Sequence, residues 1–273
     1  MGASLRRHIH FSCQGQQLSA SIDDGRMNTG LLIVSGGNEV RSGAHRGMAK
    51  LAARLARDGF SVFRFDRRGI GDSEGENGGF LSSGPDIAAA AAAFRKACPE
   101  LERIVAFGNC DAATALTFFH DPDDIAALLL ANPWVIENAG DLPPSAAIRQ
   151  RYWSRLRSPR KIWGLFTGRV DLGKLCHGLV AARGGGKESG LARQLARALY
   201  DTPRPISFIL AEHDNTAMAF QDAWNRPAFD DVRDTGRVRL VKIPTASHSF
   251  ARTEDAEALY RAVRNMLHHV AMG

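Results

Sequence analysis

Ile104-Val105-Ala106-Phe107-Gly108-Asn109-Cys110-Asp111-Ala112-Ala113 decides the fold. Four apolar residues in a row read as a buried strand, and Ala113 to Phe119 reads as a helix. Only Gly108 to Ala112 is left for the turn between them. A turn that sharp needs small residues on both flanks, and Gly108 and Ala112 supply them. Cys110 then stands at the tip of a strand–turn–helix elbow, the place of an exposed nucleophile. The start of the following helix would lower the thiol pKa and favour a reactive thiolate. The plain alternative is a buried core thiol, the commoner fate of a free cysteine.

Working outward, the same alternation recurs. Leu31 to Ser35 reads as a strand ending in Gly36-Gly37, and Arg46 to Asp58 as a helix closed by Gly59. Phe60 to Phe65 is a strand, followed by a Gly-rich loop from Asp66 to Ser73. Pro85 to Ala97 is an Ala-rich helix with Pro85 near its start. Further strands are expected at Ile125–Leu130, Pro205–Leu210 and Val238–Ile243, with a last helix from about Glu254 to His268. Strands alternating with helices imply α/β architecture, a doubly wound and mostly parallel sheet. The stretch 135–202 lacks a convincing strand and reads as a mainly helical, basic cap on a core made of 1–134 and 203–273.

In such sheets ligands bind beyond the carboxyl ends of the strands. Three of those ends carry Cys110, Asp214 and His248. His248 is placed to take the thiol proton and return it to a leaving group, with Asp214 fixing the imidazole tautomer. Taken singly, His248 could be a solvated loop histidine and Asp214 a turn residue. Glu212 and Asp222 are the reserve acids. An oxyanion hole needs two backbone N–H donors. Asp111, after the nucleophile, and Gly37, in the turn Ser35-Gly36-Gly37-Asn38, are the candidates. Arg41, His45 and Arg46 follow that turn. They either hold an anionic group of the substrate or simply charge the first turn of a helix.

The 273 residues are 44% hydrophobic and 23% charged, which excludes a disordered, collagen-like or coiled-coil chain. No apolar run approaches the roughly 20 residues that span a bilayer. Met1 to Phe11 lacks the apolar core of a signal peptide, so the expected location is cytoplasmic. Cys13, Cys98, Cys110 and Cys176 form no C-x-x-C pair, so neither a disulfide framework nor a metal site is expected, and no cofactor is called for. Cys13, Cys98 and Cys176 read as core or incidental.

The net charge of +6 is unevenly placed. Arg149 to Arg197 holds twelve basic and two acidic residues, a local +10 that leaves −4 for the rest. Such segregation suits an anionic partner: an acyl substrate that is phosphorylated or linked to coenzyme A, an acylated sugar phosphate, or a membrane surface. A solvated basic face is the plain alternative. Nucleic acid is not expected, because the segment carries none of the common binding modules.

Gly108-x-Cys110-x-Ala112, Asp66-x-Arg68-Gly69-x-Gly71-x-Ser73, Glu212-x-Asp214 and Ser247-His248-x-Phe250 together resemble the α/β-hydrolase superfamily. The resemblance runs from about Leu31 to the last helix. Gly108-Asn109-Cys110-Asp111 and the stretch Ser35 to Arg46 more narrowly resemble the type 1 exosortase A system-associated hydrolases, bacterial proteins encoded with exopolysaccharide and protein-sorting genes. That resemblance implies a cytoplasmic hydrolase-fold enzyme linked to exopolysaccharide production, without naming a substrate. It puts Cys110, Asp214 and His248 on the triad and Gly37 and Asp111 on the oxyanion donors. Cysteine departs from the usual serine. A thiolate forms thioesters readily, so the expectation is an esterase or thioesterase, with transfer to a non-water acceptor equally open. A non-catalytic binding module on the same fold is the rival from another class.

Overall fold

The computed structural model describes residues 6–136 and 190–272. Eight strands form one sheet: β1 (Arg6–Cys13), β2 (Gln16–Asp23), β3 (Thr29–Val34), β4 (Ser61–Phe65), β5 (Arg103–Asn109), β6 (Ile125–Ala131), β7 (Ile206–Ala211) and β8 (Val238–Ile243). Their order is β1-β2-β4-β3-β5-β6-β7-β8. From β4 to β8 every pairing is parallel, whereas β2 runs antiparallel to β4 and β1 antiparallel to β2. This is the doubly wound, mostly parallel α/β sheet expected from the alternation of elements.

Both faces of the sheet are covered, so its central strands are buried throughout and mostly apolar rather than alternating. Every residue of β3, β4 and β7 is buried. One face packs against α1 (Gly47–Arg57) and the long C-terminal helix Thr253–Met272, through Leu51, Leu55, Val263 and Leu267. The other packs against α2 (Gly84–Ala97) and α3 (Asp111–Phe119), through Ile87, Phe94 and Leu116. Each of these large side chains contributes roughly 1.5–3 kcal/mol by leaving water.

The hairpin β1–β2 does not follow from the apolar runs. β1 is an edge strand with a half-exposed, alternating pattern. Its turn is Gln14-Gly15, both at positive φ (49° and 80°), which suits the twist of a two-residue hairpin. Elsewhere the structure adjusts ends: β3 starts at Thr29, α3 starts at Asp111 rather than Ala113, and the last helix reaches Met272.

The ends of the stretch 135–202 belong to the core by packing. Val135 and a helix, α4 (Gly190–Asp201), lie in the same apolar cluster as α3. Leu191, Ala192, Leu195, Ala196 and Leu199 repeat at helical spacing and are buried, while Arg193 and Arg197 face out. The rest of the expected cap lies outside the described residues, with ten of the twelve basic residues and Cys176.

The chain leaves β3 for β4 on one side and returns to β5 on the other. The crevice at this reversal is where open sheets bind ligands. Gly37 follows β3 there, and Cys110 follows β5.

Candidate active site

Cys110 has φ 62° and ψ −128°, a conformation a non-glycine residue rarely adopts. Such strain costs on the order of 1–3 kcal/mol and persists only where neighbours enforce it. The neighbours here are identifiable. The Cys110 N–H donates to Ala131 O at 3.0 Å, and the Cys110 carbonyl accepts from Ala113 N–H at 3.1 Å. A Cβ on Gly108 would lie 2.7 Å from the Ala112 backbone, so only glycine lets strand and helix close this tightly. The thiol is free and partly exposed.

Asp214 caps the helix α5 (Asn215–Trp224): its Oδ2 accepts from Thr216 N–H at 3.0 Å and Ala217 N–H at 3.1 Å. The same oxygen accepts from His248 Nδ1 at 2.9 Å. Burial pushes the Asp214 carboxyl up, but the His248 hydrogen bond and charge and the two backbone donors outweigh it, and the net shift is down. For His248 burial is again the largest influence and acts downward. Hydrogen bonds to Asp214 and to Cys110 overcome it, and the imidazole is pushed up to about 10. Asp214 and His248 are thus paired, with Cys110 close enough to help raise the imidazole. Glu212 bonds through its N–H to Ile243 O, and Asp222 lies within α5, so Asp214 alone of the three acids pairs with His248 Nδ1.

Two asparagines that the sequence did not single out as functional brace this arrangement. Asn132 is fully buried, with φ 42°. Its Oδ1 accepts from Ala211 N–H at 2.8 Å, and its Nδ2 donates to Asn109 Oδ1 at 3.0 Å and to His248 O at 3.2 Å. Asn109 Nδ2 also donates to His248 O, at 3.2 Å. One amide pair therefore ties the ends of β5, β6 and β7 to the His248 loop. The available signal was an amide placed where an apolar strand ends.

The oxyanion side differs from the expectation in one contact. Gly37 N–H donates to the Asp111 carboxylate, Oδ1, at 2.6 Å. Asp111 opens α3, so its own N–H is among the first-turn donors that a helix leaves unpaired. Gly36 allows the approach, since a Cβ there would lie 2.3 Å from Asn109 O and 2.9 Å from Asp111 Oδ1. Arg67, 4% exposed, donates to Ser83 Oγ at 2.9 Å and to Gly37 O, with Asp111 Oδ2 4.0 Å away.

Arg41, His45 and Arg46 do not converge on the triad. The Arg41 guanidinium pairs with Asp66, which is fully buried, and with Asp72 at 2.9 Å. Its N–H donates to Asp66 Oδ1 at 2.5 Å. Arg41 is therefore committed to two carboxylates and organises the loops after β3 and β4. Arg46 shares a cavity of about 390 Å³ with Arg41 and Arg64. His45 borders a different cavity of about 320 Å³, beside Ser249 and Phe250. Neither lining includes Cys110, Asp214 or His248. Cys13 and Cys98 are buried, as expected of core thiols.

The sequence profile of the serine aminopeptidase S33 family of hydrolases matches residues 28–177, more than half the chain. The chain belongs to that family. The family's name refers to a serine; the strand–turn–helix elbow of this chain carries Cys110. No curated protein matches the chain in sequence. Among solved structures it is similar to the esterase Pf2001 of Pyrococcus furiosus, with 14% identity and a TM-score of 0.68 over 97% of this chain and 91% of that one. It is also similar to Est1E of Butyrivibrio proteoclasticus, solved with ferulic acid: 16% identity and TM-score 0.64 over 97% and 100% of the two chains. A thioesterase domain from the curacin biosynthetic pathway aligns at 14% identity and TM-score 0.54, over 96% of this chain and 99% of that domain. At these identities the likeness is one of fold, and it agrees with the S33 assignment. Among the described residues no helix is long and apolar enough to cross a membrane.

Proposed function

We propose that this S33-family protein is an ester or thioester hydrolase that works through a covalent acyl-enzyme on Cys110. The observation that carries the reading is the strained Cys110 elbow facing the His248–Asp214 pair. His248 takes the Cys110 proton, and the sulfur attacks. A Cys110 C–S bond forms at the acyl carbonyl, and the carbonyl electrons move onto oxygen. When the tetrahedral species collapses, the bond to the leaving alkoxide or thiolate breaks and His248 supplies its proton. Neutral His248 then takes a proton from water. The hydroxyl adds to the thioester, and collapse releases the carboxylic acid and restores the Cys110–His248 pair. Asp214 stays ionised throughout and holds the imidazole.

The substrate under this reading is a small-molecule acyl donor. The basic run Arg149–Arg197 favours one that is phosphorylated or linked to coenzyme A. An alcohol or amine in place of water would make the protein an acyltransferase. The elbow and oxyanion-loop sequences support a role in bacterial exopolysaccharide and exosortase systems. The test is intact-protein mass spectrometry after exposure to acyl thioesters and activated esters. An acyl adduct on Cys110 should accumulate in His248→Ala, clear in the wild type and be absent in Cys110→Ala. No adduct from any donor, with Cys110 alkylating no faster than a free thiol, would replace the hydrolase with a binding module.

A further inference from the structure

A carboxylate beside an oxyanion hole is poorly suited to acyl transfer, because the transition state places negative charge in the same spot. Asp111 supplies such a carboxylate. Its Oδ1 accepts the Gly37 N–H at 2.6 Å, the donor that the oxyanion would use. Several features hold it there. Gly36 lacks the Cβ that would meet Oδ1 at 2.9 Å, and Gly37 sits at φ 54°, a backbone turn that favours glycine. Arg67 is buried and needs a nearby anion. Among the described residues Asp111 is the one carboxylate within 4.0 Å of it. At that distance the pair is not hydrogen-bonded, so a turn of the Asp111 side chain toward Arg67 would shorten it and release Gly37 at once.

We propose that Asp111 gates the oxyanion hole. In the resting protein its carboxylate occupies the Gly37 donor, and acyl transfer proceeds only when it swings onto Arg67. The inference rests on the reading of Cys110 as an acyl-transfer nucleophile. Its consequence is a substrate filter: small activated esters, which bring nothing but a reactive carbonyl, meet an occupied hole and react slowly. A larger donor has binding energy elsewhere to displace the side chain.

The gate is tested by two rates on the same thiol. Alkylation of Cys110 by iodoacetamide builds no oxyanion and reports the thiolate alone. Acylation by p-nitrophenyl acetate, followed as a nitrophenolate burst with the adduct weighed intact, needs the hole. Removing the Asp111 charge near the thiol changes both rates, so the readout is their ratio. Losing one oxyanion donor costs about 100- to 1000-fold in comparable sites. Asp111→Ala is therefore expected to raise the ratio of acylation to alkylation by about 10- to 100-fold. Asp111→Asn, which keeps the shape at the helix start, should raise it less. An unchanged or lower ratio in both variants overturns the gate while leaving acylation of Cys110 in place. Absence of acylation in the wild type and both variants, with Cys110 alkylating only at the rate of a free thiol, overturns the gate together with the hydrolase reading.

Discussion

On one side of Cys110 a histidine–carboxylate pair is assembled: His248 Nδ1 lies 2.9 Å from Asp214, and the loop behind the ring is held by Asn109 and Asn132. On the other side the oxyanion loop is filled from within, its Gly37 N–H taken by Asp111 and its approach tied down by Arg41 and Arg67. The first half is organised around moving a proton, and its polar groups point at one another in a single chain. The second is organised around buried charge. Arg41 and Arg67 each need a carboxylate, and the carboxylates they draw in shape the loops after β3 and β4. Under the proposed function a relay stands beside a hole that is closed at rest, and the two halves should respond differently to substitution.

The largest expected effect falls on the oxyanion half, as stability. Arg41→Ala leaves the fully buried Asp66 with backbone donors only. Breaking a buried ion pair from one side costs about 3–5 kcal/mol. Urea unfolding should show a loss of that order. If Arg41 instead held a substrate anion, the variant would unfold like the wild type and lose affinity for charged donors. Arg46, exposed in the cavity it shares with Arg41, is the control: Arg46→Ala should stay within about 0.5 kcal/mol of the wild type.

Asn132→Ala addresses the relay half. It removes three hydrogen bonds from a fully buried site and leaves the Ala211 N–H unpaired. An unsatisfied buried group costs about 1–3 kcal/mol, so the variant should fold but be weakened. The more telling readout is kcat, expected to fall about 10- to 100-fold as the His248 loop loses its brace. A purely structural role would lower stability and leave kcat and its pH profile as they are in the wild type.

Much of the fold is legible in the sequence alone. Buried strands announce themselves as apolar runs, so β3 to β8 and the reversal between β3 and β5 follow from local sequence. The three candidate residues were legible as positions because a strand end is a definite place, and Cys110, Asp214 and His248 each follow one. β1 and β2 were missed because an edge hairpin alternates half-buried residues, and its turn is Gln14-Gly15 rather than the commoner Asn-Gly. The contact between Asp111 and Gly37 was out of reach for a different reason. Both positions were read for their backbone N–H groups, and nothing in a linear pattern tells a helix-opening carboxylate to fold back over the hole. Arg67 was hidden likewise: the loop motif drew attention to Asp66 and Arg68, while burial made Arg67 the residue that needs an anion.

The smallest expected effect is a pH dependence of stability. The folded-state imidazole of His248 is pushed up to about 10, whereas an unfolded histidine titrates near 6.5. Between those values the folded protein binds more proton than the unfolded chain, so this contribution is complete below about pH 6.5 and is lost as pH rises toward 10. The His248 side chain is 35% exposed, so solvent screening keeps the effect modest. Urea midpoints measured across this range should fall with pH in the wild type. Asp214→Asn keeps the cap on α5, because asparagine serves at that position as well as aspartate, but it removes the charge that His248 faces. Its midpoints should fall much less. Cys110→Ser removes the sulfur and leaves Asp214, so its slope should lie between the two. Equal slopes in all three proteins would mean that the relay does not hold its proton on His248, and the contrast between an assembled half and a filled half would lose its first member.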